Sequence, residues 1–166
     1  MPAGSSASQA IIPPAMAFEM CRVFCATPGD LEDERQAFYQ VMGEFNEREA
    51  MPRGVLFVSV SIPPHMTNKL AYRNVVDENV RACKFFVQVL HDTWGPPERS
   101  FAREYSMAAQ CAGRAVLFKA PNGRPIEPEV LALKQQSAGE EFGDLDDFKQ
   151  RLRAQLSAWL ATIPVE

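Results

Sequence analysis

The segment that most constrains the fold is the apolar run Phe85-Phe86-Val87-Gln88-Val89-Leu90. It is apolar at both even and odd positions, which predicts a strand buried on both faces, as in the centre of a parallel sheet. Parallel strands need crossover connections, and these are usually helices. The segment therefore favours an α/β domain in which helices cover both faces of the sheet.

The rest of the chain has the alternation that such a domain needs. The predicted strands cover 20–26, 55–62, 85–90, 115–118 and a short edge near 141–142. The predicted helices cover 31–49, 68–81, 100–112, 127–136 and a last segment capped by Asp144, while Gly113 is expected to end the third helix. No GxGxxG motif follows the first strand, and no P-loop pattern is present. We therefore expect a flavodoxin-like three-layer sandwich with the strand order 2-1-3-4-5.

Composition and charge limit the class of protein. The chain has 166 residues, enough for one domain, which we place at 18–163. Its formal net charge of -4 argues against nucleic acid as a partner, because phosphate binding needs a concentrated basic surface. Its apolar runs are much shorter than the roughly 20 residues that a helix needs to span a bilayer. We expect a cytoplasmic domain that binds neither nucleic acid nor membrane.

The first residues, 1–17, differ in character from the rest of the chain. They contain no Lys or Arg, and their aliphatic pair Ile11-Ile12 is followed at once by Pro13-Pro14. The segment is therefore a poor signal peptide. We expect it to be a flexible leader that packs little of itself against the domain.

The cysteines are Cys21, Cys25, Cys83 and Cys111. Cys21 and Cys25 share one face of the first strand, about 13 Å apart at ~3.3 Å per residue, which is too far for a disulfide. Their spacing does not resemble a zinc knuckle. Cys83 and Cys111 fall at the edges of elements and are expected to pack as small apolar residues. We expect all of these thiols to be reduced.

A strand, a tight turn and a helix start follow one another in Val23-Phe24-Cys25-Ala26-Thr27-Pro28-Gly29-Asp30-Leu31, with Glu34-Arg35 after them. This stretch resembles the "VFISST…DL…ER" opening of a TIR-like family of unknown function, found in bacterial signalling and conflict-system proteins and at the N-termini of some large NTPases. The segment 79–90 stands where that family has an acidic helix running into a buried strand. Trp94-Gly95, Ser100 and Glu104-Tyr105 resemble its "G…YG…S…EyeyA" segment. The resemblance covers roughly 20–120 and implies a TIR-like, flavodoxin-like fold.

The chain departs from the family pattern at two loops. Cys25-Ala26 replaces the usual Ser-Ser after the first strand, and Pro96-Pro97 alters the third loop, so the resemblance does not imply shared ligand contacts there. Similar domains serve as adaptors, as NAD-cleaving enzymes or as relatives of nucleoside deoxyribosyltransferases. The resemblance therefore implies a fold but no single function.

Glu104 is the candidate catalytic residue. In NAD-cleaving TIR domains and in deoxyribosyltransferases, a Glu early in the helix after the third strand acts at the sugar carbon that bears the base, and the resemblance places Glu104 there. A carboxylate suits this chemistry because it stabilises an oxocarbenium-like transition state. Glu104 shares a helix side with Phe101 and Ala108, which favours an inward position. The alternative is an exposed Glu that balances Arg103 or the helix dipole.

The ligand-binding candidates at the carboxyl edge of the sheet are Thr27, Asp30, Asp92, Trp94 and Ser100. Several of them also have a purely structural interpretation. Asp30 either contacts a ligand or caps the first helix, and Thr27 either binds phosphate or ribose or belongs to a plain turn. Trp94 either stacks on a base or packs its loop on the third helix, and Ser100 is expected to cap that helix.

His91 and Asp92 end the central strand, where an acid–base pair would face a cleft. Adjacent residues of a strand point to opposite faces, so we do not expect these two side chains to cooperate. Apart from His91, the chain has one other histidine, His65. The sequence therefore predicts neither a metal site nor a Ser-His-Asp triad.

These observations favour a non-catalytic TIR-like signalling module that works through protein contacts or self-association, because no complete catalytic set is present. The alternative is a hydrolase or transferase that acts on the glycosidic bond of NAD or of a nucleotide, with Glu104 as its catalytic carboxylate. A third interpretation is a nucleotide sensor that uses the same pocket without turnover. No cofactor is required, and NAD or a nucleotide is expected only as a ligand.

Overall fold

The computed structural model describes residues 17–28, 30–62, 70–95 and 101–164. Almost all of the predicted leader lies outside these ranges, as does the candidate residue Ser100. The other candidate site residues lie inside them: Thr27, Asp30, His91, Asp92, Trp94 and Glu104.

A parallel sheet forms the middle layer of the domain. Its strands are β1 (Glu19–Ala26), β2 (Val55–Val60), β3 (Phe85–Leu90), β4 (Gly113–Lys119) and β5 (Glu140–Phe142). They lie in the order β2-β1-β3-β4-β5, and every described pairing is parallel. All residues of β3 are buried, as expected of a central strand. The predicted α/β fold and strand order are confirmed, including the short edge strand.

Helices cover both faces of this sheet. They are α1 (Glu32–Phe45), α2 (Leu70–Ala82), α3 (Phe101–Met107), α4 (Pro128–Gln136) and α5 (Leu145–Thr162). α1 and α5 pack on the face that carries Phe85, whereas α2 and α3 pack on the face that carries Phe86. α4 packs on that second face, beside the end of β4. Within the described ranges, no helix combines the length and the apolar character needed to cross a membrane.

The end of α1 differs from the single helix predicted at 31–49. A π-helical turn (Asn46–Ala50) and a 3-10 turn (Met51–Arg53) follow it, and Gly54, with φ of 74°, then reverses the chain into β2. Asn46 explains the local arrangement, because its Nδ2 donates to the Phe57 carbonyl and its Oδ1 accepts from the Phe57 N–H, both at 2.8 Å. The amide side chain thus satisfies backbone groups on the outer edge of β2.

Gly113 does not end a helix, contrary to the prediction. α3 stops at Met107, a 3-10 turn (Ala108–Gln110) follows it, and Gly113 is the first residue of β4. The indole of Trp159, on α5, occupies the place where a Cβ of residue 113 would be. The glycine is therefore explained by a close approach between β4 and α5 and not by a helix C-terminus.

The amphipathic pattern of α5 is confirmed. Asp144 caps the helix, because its Oδ1 accepts from the N–H of Asp147 at 2.8 Å. The apolar stripe of α5 is buried against α1 and the sheet, and it consists of Phe148, Leu152, Leu156, Trp159 and Leu160. Leu145, at the start of the predicted stripe, is partly buried against the same core.

All of the cysteines carry free thiols. Cys21 and Cys25 lie in the same core cluster, as their shared face on the first strand predicts. Cys83 is buried and Cys111 is partly exposed. Burial raises the pKa of each thiol, that of Cys83 to about 12. These thiols therefore act as packing groups and are poor nucleophiles.

We expect the native protein to react slowly with iodoacetamide at mildly alkaline pH, because the thiolate is the reactive form and burial disfavours it. Cys111 should be alkylated first, since the other three thiols are buried. Mass spectrometry of a time course measures the order, and the same reaction in guanidinium chloride is the control. Rapid alkylation of Cys25 or Cys83 in the native protein would show that the core opens easily and would contradict the expectation.

Candidate functional site

Three loops meet at the carboxyl edge of the sheet, and Arg124 joins them. Its Nη2 donates to Oδ2 of Asp30, after β1, at 2.8 Å. Its Nε lies 3.0 Å from Oδ2 of Asp92, after β3, and its Nη2 lies 3.3 Å from Nδ1 of His91. We call Asp30, His91, Asp92 and Arg124 the edge cluster. It lies beside the point where the strand order reverses between β1 and β3, which is where open α/β sheets bind ligands.

Asp30 does not cap α1, so the interpretation of this residue as a helix cap is wrong. The N-cap residue is Leu31, and no side chain accepts a hydrogen bond from the first turn there. Asp30 instead directs its carboxylate to Arg124, and that hydrogen bond lowers the pKa of Asp30 below its usual value. The local pattern misled the prediction because it does not contain the distant basic partner.

His91 and Asp92 contact the same guanidinium, so the reason for expecting them to act apart, opposite faces of a strand, does not hold. β3 ends at Leu90, and the alternation of strand faces no longer applies to the residues after it. His91 is only 6% exposed, whereas the side chain of Arg124 is 49% exposed. The cluster is therefore closed at the imidazole and open to solvent at the guanidinium.

Some buried polar atoms of the described residues have no hydrogen-bond partner. Among the described residues they are Glu34 Oε2, Ser61 Oγ, Gln88 Oε1 and His91 Nε2. Ser61 follows β2, Gln88 and His91 lie on either side of the end of β3, and Glu34 lies in the first turn of α1. Each unmatched buried group costs about 1–3 kcal/mol, so such groups are rare. Of these residues, His91 is a member of the edge cluster.

A buried ion pair lies at the same edge. The Nζ of Lys119, at the end of β4, is 2.8 Å from Oε1 of Glu34. The side chain of Glu34 is 3% exposed and that of Lys119 is 34% exposed. The pair therefore joins α1 to β4 and balances a carboxylate that water hardly reaches.

Glu127, just before α4, holds the loop after β3. Its carboxylate accepts from the Thr93 hydroxyl at 2.8 Å and from the Trp94 N–H at 3.0 Å. Its own N–H donates to the Asp92 carbonyl at 2.8 Å. The Trp94 ring packs against Tyr105 of α3, with 5.9 Å between the ring centroids. These contacts agree with the interpretation in which Trp94 packs its loop on the third helix.

Glu104 is buried in α3, at 2% exposure. It is therefore not the exposed helix residue that one interpretation of the sequence expected. Arg103, the partner in that interpretation, instead makes two hydrogen bonds to the carboxylate of Asp77 on α2, at 2.9 and 2.7 Å. Glu104 points inward, as its spacing from Phe101 and Ala108 predicts, and it is not a member of the edge cluster.

Gly95 allows α3 to approach the loop after β1. Its φ is 81°, and a Cβ on this residue would lie 2.8 Å from the Cβ of Pro28 and 3.4 Å from Cδ2 of Phe101. Thr27, which precedes Pro28, is 5% exposed. A contact between its hydroxyl and a phosphate or ribose therefore requires this loop to open.

A groove of about 560 Å³ lies between the start of β4, the end of α4 and the middle of α5. Arg114, Gln136 and Arg151 are among its polar lining residues. β5 pairs with β4 over Leu117–Lys119, so the groove faces a part of β4 that β5 does not cover. None of the candidate site residues lines it, and the converging acidic, basic and imidazole groups lie in the edge cluster instead.

Sequence reasoning missed Arg124, Glu127 and Lys119. The first two lie in the segment 120–143, which prolines and glycines interrupt, so no periodicity shows where its side chains point. The available signal is topological. Residues that follow β4 must meet those that follow β1 and β3, because the carboxyl ends of parallel strands share one edge of the sheet.

No protein-family model matches the chain, and no curated protein matches it. Among solved structures, a diflavin flavoprotein A3 from Nostoc sp. is 15% identical with a TM-score of 0.46, over 87% of this chain and 95% of that chain. A flavodoxin-like domain from Synechococcus sp. is 14% identical with a TM-score of 0.45, over 87% of this chain and 100% of that chain. The metal-soaked Flv1 flavodiiron core from Synechocystis sp. is 11% identical with a TM-score of 0.41, over 85% of this chain and 37% of that chain.

These similarities concern the fold alone. The chain is a flavodoxin-like α/β domain by its own sheet order and by the helices on both faces of the sheet.

Proposed function

We propose that this domain is a non-catalytic, TIR-like signalling module that binds a phosphorylated nucleotide at its carboxyl edge. The observation that carries the proposal is the edge cluster, in which one half-exposed guanidinium joins the loops after β1, β3 and β4. A ligand that attracts this guanidinium releases the contacts that the loop after β4 makes to the loops after β1 and β3. Binding then changes the shape of one surface of the domain, which is what a signalling module needs.

The chemistry of Arg124 suits a phosphate group. A guanidinium presents five N–H donors in a planar fork that matches phosphate oxygens. Within the described part of the chain, the Nη1 group of Arg124 donates to no residue, because the contacts to Asp30 and Asp92 use Nη2 and Nε. The carboxylates of Asp30 and Asp92 are acceptors suited to the hydroxyl groups of a ribose. Thr27, Trp94 and Ser100 remain candidates for further contacts to the nucleotide.

The alternative function, cleavage or transfer at a glycosidic bond, depends on Glu104. One observation favours it, because Glu104 is buried and points inward from α3. We place this function second because the exposed polar groups at the carboxyl edge belong to the edge cluster, and Glu104 is not among them.

We also propose that the signal passes through a protein contact, either with a partner or with a second copy of the domain. The loops joined by Arg124 are the surface that a bound nucleotide would rearrange, so the contact is expected at the carboxyl edge. Light scattering with and without nucleotide measures self-association directly.

The test is calorimetric titration of the protein with NAD, ADP-ribose, AMP and FMN. We expect at least one of them to bind, and we expect Arg124→Gln to weaken binding about tenfold or more, because a hydrogen bond to a charged group contributes about 1.5–3 kcal/mol. Arg151→Gln is the matched control, since Arg151 also bridges two carboxylates, those of Glu140 and Asp147. This control should leave the affinity unchanged.

Equal losses in the two arginine variants, or no binding by the wild-type protein at millimolar ligand, would contradict the proposal. Chromatography of the same mixtures for released base, beside Glu104→Gln, tests the alternative. Base release that disappears in Glu104→Gln would establish a glycosidic-bond enzyme in place of a non-catalytic module.

A further inference from the structure

The folded chain brings together a set of potential metal ligands that the sequence keeps apart. Asp30, His91 and Asp92 each offer one ligand atom, and these atoms all lie within 4.8 Å of one another. The sequence predicted no metal site, because the chain has one histidine besides His91. Asp30 follows β1, whereas the other two residues follow β3. Only the pairing of β1 with β3 in one sheet makes them neighbours.

The donor set indicates the class of ion. Two carboxylates and one imidazole are the ligands that divalent first-row ions such as Mn²⁺ and Zn²⁺ accept, whereas Mg²⁺ and Ca²⁺ prefer oxygen ligands alone. The side chain of Asp30 is 58% exposed, so its rotation can bring the third ligand closer without moving the backbone. Three protein ligands leave further coordination positions for water or for a phosphate oxygen.

His91 provides an independent observation that points to a ligand. His91 is only 6% exposed, and its Nε2 has no hydrogen-bond partner. Its Nδ1 faces the Nη2 of Arg124 at 3.3 Å. Because a guanidinium only donates, this contact is favourable only when Nδ1 is unprotonated, and Nε2 then carries a buried proton with no acceptor. The lone pair of Nδ1 is therefore directed at the place that the guanidinium occupies, where a cation would meet it as a ligand.

Arg124 now occupies the position where a cation would neutralise the carboxylates. Its single positive charge faces two negative groups, those of Asp30 and Asp92, so the three charged side chains together carry one excess negative charge. A divalent ion balances both carboxylates, and the half-exposed guanidinium can turn into solvent while it stays protonated. The ion and the guanidinium thus compete for one place.

We propose that Asp30, His91 and Asp92 bind a divalent transition-metal ion, and that Arg124 leaves the two carboxylates when the ion binds. The proposal deepens the proposed function, because it concerns the same site, but the ion does not need a nucleotide in order to bind. When both are present, the ion takes the carboxylates and the released guanidinium faces the phosphate. Arg124 is then the element that couples the two ligands.

The experiment is a titration of chelator-treated full-length protein with MnCl₂ alone, followed by electron paramagnetic resonance of free Mn²⁺ and by calorimetry. We expect one equivalent of ion to bind, and we expect Asp92→Asn and His91→Gln each to weaken it about tenfold or more. Arg124→Gln should bind the ion more tightly than the wild-type protein, since it removes the competing charge. A gain of affinity cannot result from misfolding, so this variant keeps the test valid if the others unfold.

Asp147→Asn is the matched control. Asp147 pairs with Arg151, which also pairs with Glu140, just as Arg124 pairs with both Asp92 and Asp30. It should leave Mn²⁺ binding unchanged. Weaker binding in Arg124→Gln, equal effects of Asp147→Asn and Asp92→Asn, or no bound ion at millimolar MnCl₂ would each overturn the proposal. Mn²⁺ binding without nucleotide binding supports this inference and removes the proposed function, and nucleotide binding without Mn²⁺ binding does the reverse.

Discussion

Replacing Gly113 by alanine is expected to lower the free energy of unfolding by about 3 kcal/mol, the upper part of the usual range for overpacking a core. The added Cβ would overlap the indole of Trp159, and it would lie 3.0 Å from Cδ1 of Phe85. Trp159 cannot easily retreat, because its ring stacks on Phe85 with 4.6 Å between the centroids and 7° between the planes. The substitution therefore has to push α5 away from the sheet.

Urea unfolding followed by circular dichroism measures this effect, and Gly43→Ala is the matched control. Gly43 lies inside α1, and a Cβ there would meet nothing within 4 Å. The control should stabilise the domain by up to about 1 kcal/mol, because alanine favours a helix more than glycine does. If Gly113→Ala unfolded at the same urea concentration as the wild-type protein, β4 and α5 would not be packed as closely at Gly113 as described.

The second large effect is expected for Lys119→Met. The side chain of Glu34 is 3% exposed, and its carboxylate lies 2.8 Å from the Nζ of Lys119. The substitution removes this cation and leaves the buried carboxylate unpaired. Loss of one partner of a buried pair costs about 3–5 kcal/mol, and we expect about 3 kcal/mol because Lys119 itself is partly hydrated. The double variant Glu34→Gln with Lys119→Met should recover most of the loss, since it buries no unpaired charge.

Lys134→Met is the control for this pair. Lys134 also forms an ion pair with a glutamate, Glu141, but that glutamate side chain is 46% exposed. A surface pair of this kind contributes at most about 1 kcal/mol. Equal losses of unfolding free energy for Lys119→Met and Lys134→Met, or no recovery in the double variant, would show that Glu34 is not the buried partner.

The elements that the sequence predicted well are those that a local pattern determines. β3 follows from a run that is apolar on both faces, and α5 follows from a capping Asp144 and an apolar stripe at helical spacing. The strand order followed from the alternation of strands and helices together with the absence of motifs for longer folds. Gly113 was assigned wrongly because glycine is common both after a helix and wherever two elements approach closely, and only the position of Trp159 decides between these uses.

The candidate site could be predicted in position but not in composition. The carboxyl edge was expected from the topology, and Asp30 and Asp92 were named as candidates there. Their shared partner Arg124 lies in a segment without periodicity, so its direction could not be derived from the sequence. The same gap explains why Asp30, without a visible basic partner, looks like a helix cap.

The short pairing of β5 has a consequence for how this domain behaves at high concentration. β5 covers Leu117–Lys119, so the first half of β4 borders a groove and not another strand. An open stretch of sheet edge can accept a strand from a neighbouring molecule and so start aggregation. Arg114 lies over the ring of Tyr105 at 4.0 Å, and with Arg151 it puts charge on this groove. Charge beside an open sheet edge disfavours pairing with another strand, so these two arginines are expected to oppose edge-to-edge association of copies of the domain.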